Sequence, residues 1–169
     1  MWLALRAVFW TLVLPGFSGF YLPWRYFGLR DVRIDVSNPR QWLGMLCIGV
    51  GTILLLACIR EFAKRGRGTL SPADPPRHLV VSGLYRFVRN PMYLSVTLIV
   101  LGEVMLTFSQ PLLMYWVVWF VIVNLFVMGY EEPTLRARFG DEYERYTQHV
   151  GRWVPRLAPY VRKGSDPDF

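Results

Sequence analysis

The sequence predicts an all-α fold: an integral membrane helical bundle of about four transmembrane helices, ending in a C-terminal helical hairpin and a cytoplasmic helical tail. Three observations carry this expectation. Hydrophobic residues make up 53% of the chain, above the roughly 45–50% of globular proteins. They collect in long runs, separated by Pro, Gly and charged clusters. The basic residues crowd into two of the polar stretches, the bias that orients membrane proteins.

The first apolar segment, Ala7 to Leu22, is interrupted by Pro15, Gly16 and Gly19, so a kinked crossing is expected. Leu14-Pro15-Gly16 makes a poor cleavage site, which favours a retained segment over a signal peptide. A mixed-charge linker, Pro23 to Arg40, follows, and Asn38-Pro39 marks the turn into the second segment, Gln41 to Ile59. That segment is long enough to cross a hydrocarbon layer about 30 Å thick. Gly44, Gly49 and Gly51 would let another helix approach closely. Gly49-x-Gly51 also resembles a motif of phospholipid methyltransferases, so packing and function are both open there. Cys47 and Cys58 share this run, roughly 16 Å apart on a helix, too far for a disulfide.

Arg60 to Asn90 is a polar connector too long for a bare turn, and such loops usually carry function. The third segment starts at Pro91 and runs to Phe108. Ser109-Gln110-Pro111 turns the chain, and the fourth runs from Leu112 to Tyr130. In the tail, Leu135, Phe139, Tyr143 and Tyr146 recur at helical spacing. Gly140 reads as a helix stop, and Asp141 with Glu144 as a capping box. The whole is expected to form one domain over 1–169, with N-terminal membrane helices over 1–62 and a ligand-binding connector, hairpin and tail over 63–155.

From Lys64 onward, connector and tail hold thirteen Lys and Arg, the last being Arg162 and Lys163, against four in the first linker. Both are therefore expected on the cytoplasmic side, and four crossings would put the N-terminus there too. The net charge of +7 suits anionic headgroups. The lipid bilayer, not nucleic acid, is the expected partner, since no aromatic–basic stripe lies on a soluble platform. With His78 and His149 alone in polar stretches and both cysteines in an apolar run, no metal site is expected.

The hairpin makes a geometric prediction. Helices of about 18 and 20 residues rise roughly 27 and 30 Å, which returns Glu131-Glu132 to the membrane level of Asn90-Pro91. Asn90 is a natural N-cap and Pro91 a natural first helical residue. The third helix would present its positive end there, with Arg86 and Arg89 beside it, a place for a carboxylate or phosphate. Glu131 and Glu132 would stand at the negative end of the fourth helix, a cost that a cationic or polyhydroxyl ligand would relieve. A zwitterion with ribose hydroxyls and a sulfonium, such as S-adenosylmethionine, suits those groups.

The run Val81-Ser82-Gly83-Leu84-Tyr85-Arg86-Phe87-Val88-Arg89-Asn90-Pro91-Met92-Tyr93, the apolar hairpin, Glu131-Glu132-x-x-Leu135 and Phe139-Gly140-x-x-Tyr143-x-x-Tyr146 resemble the isoprenylcysteine carboxyl methyltransferase family. Phospholipid N-methyltransferases and thiol methyltransferases belong to the same wider group. The resemblance covers Arg77 to Pro155. It implies an S-adenosylmethionine-dependent membrane methyltransferase acting on a hydrophobic acceptor: a lipid amine, a thiol or an isoprenylcysteine-like carboxylate. By position it implies that His78, Leu79, Val80, Tyr85, Asn90, Pro91, Met92, Tyr93 and Glu131 bind the cofactor. Arg89 and Glu132 match the arginine and second glutamate of its catalytic set. Two positions depart from the pattern. The family's histidine is Asn90, which cannot titrate. Its substrate-facing arginine, one turn before the first glutamate, is Val127, which argues against a carboxylate acceptor.

Glu103 lies inside the third segment, where an acid is either functional or tied to a structural partner. Asn124 either lines the same face as Glu131 or ties helices together. The seven Trp read mostly as interfacial anchors, and His149 as a surface residue without a partner. Two other classes stay open: a nicotinamide-dependent (NADPH) membrane reductase of related hairpin design, and a non-catalytic membrane subunit.

Overall fold

A computed structural model describes residues 12–35, 37–61 and 78–161. The N-terminal part of the first apolar segment, the Lys64–Gly68 stretch, the prolines of 72–76 and the last basic residues, Arg162 and Lys163, lie outside the described residues. Every regular element among the described residues is helical. We label them α1 (residues 12–26), α2 (Pro39–Glu61), α3 (Pro91–Thr107), α4 (Gln110–Phe139) and α5 (Asp141–His149).

α2 and α4 are long and apolar enough to cross a membrane, and most of their surface faces outward. Trp42, Leu46, Ile53 and Leu56 on α2, and Val118, Ile122 and Leu125 on α4, are exposed. An aqueous surface would not leave such faces bare, whereas lipid solvates them. The chain is therefore a helical membrane protein. α3 is shorter, 17 residues, and is the buried centre. Val96, Ile99, Val100 and Val104 pack with Leu55 of α2 and Leu112 of α4.

Glycine sets the α2–α3 approach. A Cβ on Gly44 would lie 2.7 Å from the Gly102 carbonyl oxygen, and one on Gly102 would lie 2.6 Å from that of Gly44. Gly51 faces Ser95 and Ile99 just as closely. Gly49, expected to join them, meets nothing within 4 Å; at two residues' distance from Gly51 it falls on another side of the helix. Gly102→Val is therefore expected to force the two helices apart, at a cost of about 3 kcal/mol or more. Thermal melting in detergent should show a large drop, while Gly49→Val should melt like the wild type.

The remaining helices are tied by polar contacts. Tyr115 Oη donates to the Ser18 carbonyl at 2.7 Å and its ring meets Phe27 at 5.0 Å, which joins α1 to α4. Gln41 Nε2 donates to Leu106 O at 3.3 Å. Ser109 caps α4, accepting from Leu112 N. Glu103 is fully buried in this core, 1% exposed, and its Oε2 has no hydrogen-bond partner among the described residues. Cys47 and Cys58 are both free thiols.

Two expectations need correction. The fourth helix does not end at Tyr130. It runs on through Glu131 and Glu132 to Phe139, by way of a wide-wound stretch, Val127–Glu131, where Glu132 N donates to Val127 O five residues back. The reason is Pro133, which lacks an N–H and whose ring crowds the carbonyl four residues earlier. A locally wider turn absorbs that conflict without breaking the rod. The second correction concerns the Asp141–Glu144 capping box. Gly140, at φ 49°, occupies the cap position with no side-chain cap bond, and Glu144 pairs instead with Arg136.

Candidate functional site at the α3–α4 junction

The start of α3 meets the later part of α4. Pro91 is the first residue of α3 and Asn90 precedes it at the cap position. Pro supplies the helical φ and has no N–H to leave unsatisfied. From this turn Tyr93 Oη donates to Glu131 Oε2 at 3.2 Å, and Arg89 Nη1 lies 2.9 Å from Glu132 Oε1. Residues about forty positions apart thus touch at one level of the bundle.

The tail closes this junction from below. Arg152 holds Glu132 with two bonds, Nε to Oε1 at 2.6 Å and Nη2 to Oε2 at 2.8 Å. Glu132 is buried, 8% exposed, and two guanidinium groups neutralise it. Its bond to Glu132 in turn holds Arg152 above the ordinary arginine range. Backbone bonds weld connector to tail: Arg89 N to Gly151 O, Arg156 N to Phe87 O and Tyr160 N to Arg86 O, each 2.9 Å. Arg86 Nε also donates to Tyr160 O at 2.7 Å.

These contacts revise the expected electrostatics. Glu131 and Glu132 lie within a helix and not at its negative end, so the dipole cost expected of them is absent. Arg89 is engaged with Glu132 and is not a bare anion receptor beside α3; only its Nε is buried without a partner among the described residues. Asn90 caps by position alone. Its side-chain Nδ2 donates to Arg152 O at 3.3 Å, which leaves the first turn of α3 without a side-chain cap.

The other expected cofactor residues fall in two groups. Tyr85 is drawn to the tail, its carbonyl accepting from Tyr146 Oη at 2.6 Å. Burial pushes both phenols above their usual range, so they remain protonated at neutral pH. Leu79 packs on the tail cluster of Tyr143, Tyr146 and Val150 together with Leu135 and Phe139, the residues whose helical spacing marked this surface. Val80 is buried and His78 is exposed. Pro91 is buried, and Met92 packs against the membrane core. The groups that converge on one spot are Arg89, Asn90, Tyr93, Glu131 and Glu132, with Arg152 beside them.

Arg152 and Trp153 stand out only in the structure. Trp153 Nε1 donates to Asn124 Oδ1 at 3.1 Å, so Asn124 ties α4 to the tail. In the sequence both residues are scattered members of larger classes, a tail arginine and an interfacial tryptophan. The one local sign is their place in Gly151-Arg152-Trp153, directly after the last aromatic helix. His149, expected to stand alone, has its ring 5.3 Å from Tyr160 and its carbonyl accepts from Arg156. Among the described residues there is no group of His, Cys, Asp and Glu fit to hold a metal.

Charge-paired polar contacts are thus held where apolar helices meet the tail. Comparison with known proteins gives the family. The phospholipid methyltransferase family matches residues 39–142, from the start of α2 into α5, and the chain belongs to that family. It is 30% identical over 117 residues to the protein-S-isoprenylcysteine O-methyltransferase of Schizosaccharomyces pombe, covering 68% of this chain and 48% of that enzyme. It is 36% identical over 63 residues to an uncharacterized protein of Haemophilus influenzae, covering 37% of this chain and all of that protein. No solved structure matches.

Proposed function

We propose that this protein transfers a methyl group from S-adenosylmethionine to a lipid-soluble acceptor at the cytoplasmic face of a membrane. The observation that carries the reading is the Tyr93–Glu131 contact beside the Arg89–Glu132–Arg152 cluster. It joins the two motif elements of the methyltransferase resemblance at one point of the bundle. Family membership favours methyl transfer over the reductase and non-catalytic subunit alternatives.

The donor set fits such a cofactor. Glu131 holds the Tyr93 hydroxyl through one carboxylate oxygen, and a carboxylate there suits ribose hydroxyls or an ammonium. The uncapped first turn of α3 and the unpartnered Arg89 Nε offer N–H groups to a carboxylate. Asn90 keeps its amide oxygen as an acceptor, and no proton transfer is asked of it. His78, Leu79, Val80, Tyr85, Pro91 and Met92 complete the proposed cofactor set by resemblance.

S-adenosylmethionine supplies an already activated methyl on its sulfonium. The protein's own work is then positioning and exclusion of water. Arg89, Glu132 and Arg152 lock the connector, α4 and tail into one frame, and Tyr93 orients Glu131. Val127, one turn from Glu131, offers no partner to a carboxylate, so a lipid amine or thiol fits better than a prenylcysteine carboxylate. In the proposed topology four crossings place both termini, the connector and the tail on the cytoplasmic side, in line with the basic bias. The acceptor enters from lipid and the cofactor from water.

Calorimetry tests the reading directly. Purified full-length protein in detergent should bind S-adenosylhomocysteine saturably. A folded sample that shows no binding overturns it.

A further inference from the structure

We propose that Trp153, aimed by Asn124, is a cofactor-binding residue whose indole receives the sulfonium charge at the passage from the polar site to the lipid. This rests on the methyltransferase reading above and adds a residue to it.

The passage is defined by packing. α2 lies close along α3, whereas α4 stands away from α3 over most of its length. The tail returns under this wedge, and Trp153 fills its lower end. Its ring lies 6.4 Å from Tyr93, edge to face at 65°, and 5.2 Å from Phe120. Phe120 in turn stacks on Trp116 at 6.1 Å. A continuous row therefore leads from Glu131 through Tyr93, Trp153 and Phe120 to Trp116, deep in α4. Neither Val127 nor Asn124, the α4 residues one and two turns before Glu131, carries a charge.

A ligand held by Glu131 and the first turn of α3 reaches the acceptor's side only past this row. The group that must face lipid is the methyl-bearing sulfur, a full positive charge. Taking it out of water is costly without a partner. Aromatic faces supply one, and indole is the strongest. Asn124 matters because it fixes the indole through its only donor, Nε1. A tryptophan serving only as an interfacial anchor would have no need of a partly buried amide on a different element.

The test compares a cationic with a neutral ligand, so it needs no acceptor. Sinefungin carries an ammonium near the sulfonium position, and S-adenosylhomocysteine carries a neutral thioether there. Full-length wild type in detergent is expected to bind sinefungin more tightly relative to the thioether than its variants do. Trp153→Leu should lower that affinity ratio about ten-fold, the worth of a desolvated cation–π contact, with little change for S-adenosylhomocysteine. Trp153→Phe should retain most of the preference, and Asn124→Leu should fall between. Should Trp153→Leu fail to fold, the Asn124→Leu ratio decides. An unchanged ratio, or equal weakening of both ligands, overturns the proposal and leaves Trp153 a packing residue. A wild type that binds neither ligand instead overturns the methyltransferase reading itself.

Discussion

Glu132→Ala should cost the protein most of its folded population. Glu132 is the shared counter-ion of two guanidinium groups in a buried setting, with Arg89 at 2.9 Å and Arg152 at 2.6 Å. The Arg89 and Glu132 side chains are only 13% and 11% exposed. Removing the shared carboxylate leaves like charges facing each other without a counter-ion, a loss of about 3–5 kcal/mol. Folded proteins have only about 5–15 kcal/mol in reserve. Glu132→Gln, which keeps the shape and one acceptor, should lose less. Fluorescence-detected size exclusion after a heating series would report both. An alanine variant that melts with the wild type would mean that the triad is dispensable and the tail is held by its backbone bonds alone.

Glu131→Gln should behave in the opposite way, folding normally and losing the cofactor. The two glutamates are adjacent yet differ in surroundings. Glu132 is saturated by arginines, while Glu131 touches the Tyr93 hydroxyl and is the carboxylate proposed to meet the ligand. Charge-assisted bonds are worth about 1.5–3 kcal/mol each, so S-adenosylhomocysteine affinity should fall on the order of 100-fold. The melting curve without ligand should barely move. Equal ligand affinity in variant and wild type would remove Glu131 from the proposed site.

Much of this was legible beforehand because membranes narrow the choices. Apolar runs must be helices, the length of a crossing is known, and Pro91 and Ser109 mark where α3 begins and α4 is capped. From those facts the meeting of Asn90-Pro91 with Glu131-Glu132 follows by counting. Three things were hidden for physical reasons. The continuation of α4 past Tyr130 was obscured because charge and a proline usually signal an end, and hydropathy does not report a widened turn. The pairing of Glu132 with Arg152 joins residues twenty positions apart through the fold of the tail, which periodicity cannot register. The role of Gly51 over Gly49 depends on which side of α2 meets α3, and a symmetric apolar helix gives no sign of its facing.

The widened turn at Val127–Glu131 also has a rotational effect. An α-helix advances about 100° per residue, so one extra residue in a turn offsets everything beyond it by about that angle. The stripe of α4 that meets hydrocarbon and the stripe carrying Glu132, Leu135 and Phe139 are therefore out of phase along a single unbroken axis. One rod presents separate sides to oil and to the tail, and the two glutamates fall where that phase slips, one turned to α3 and the other to the arginines.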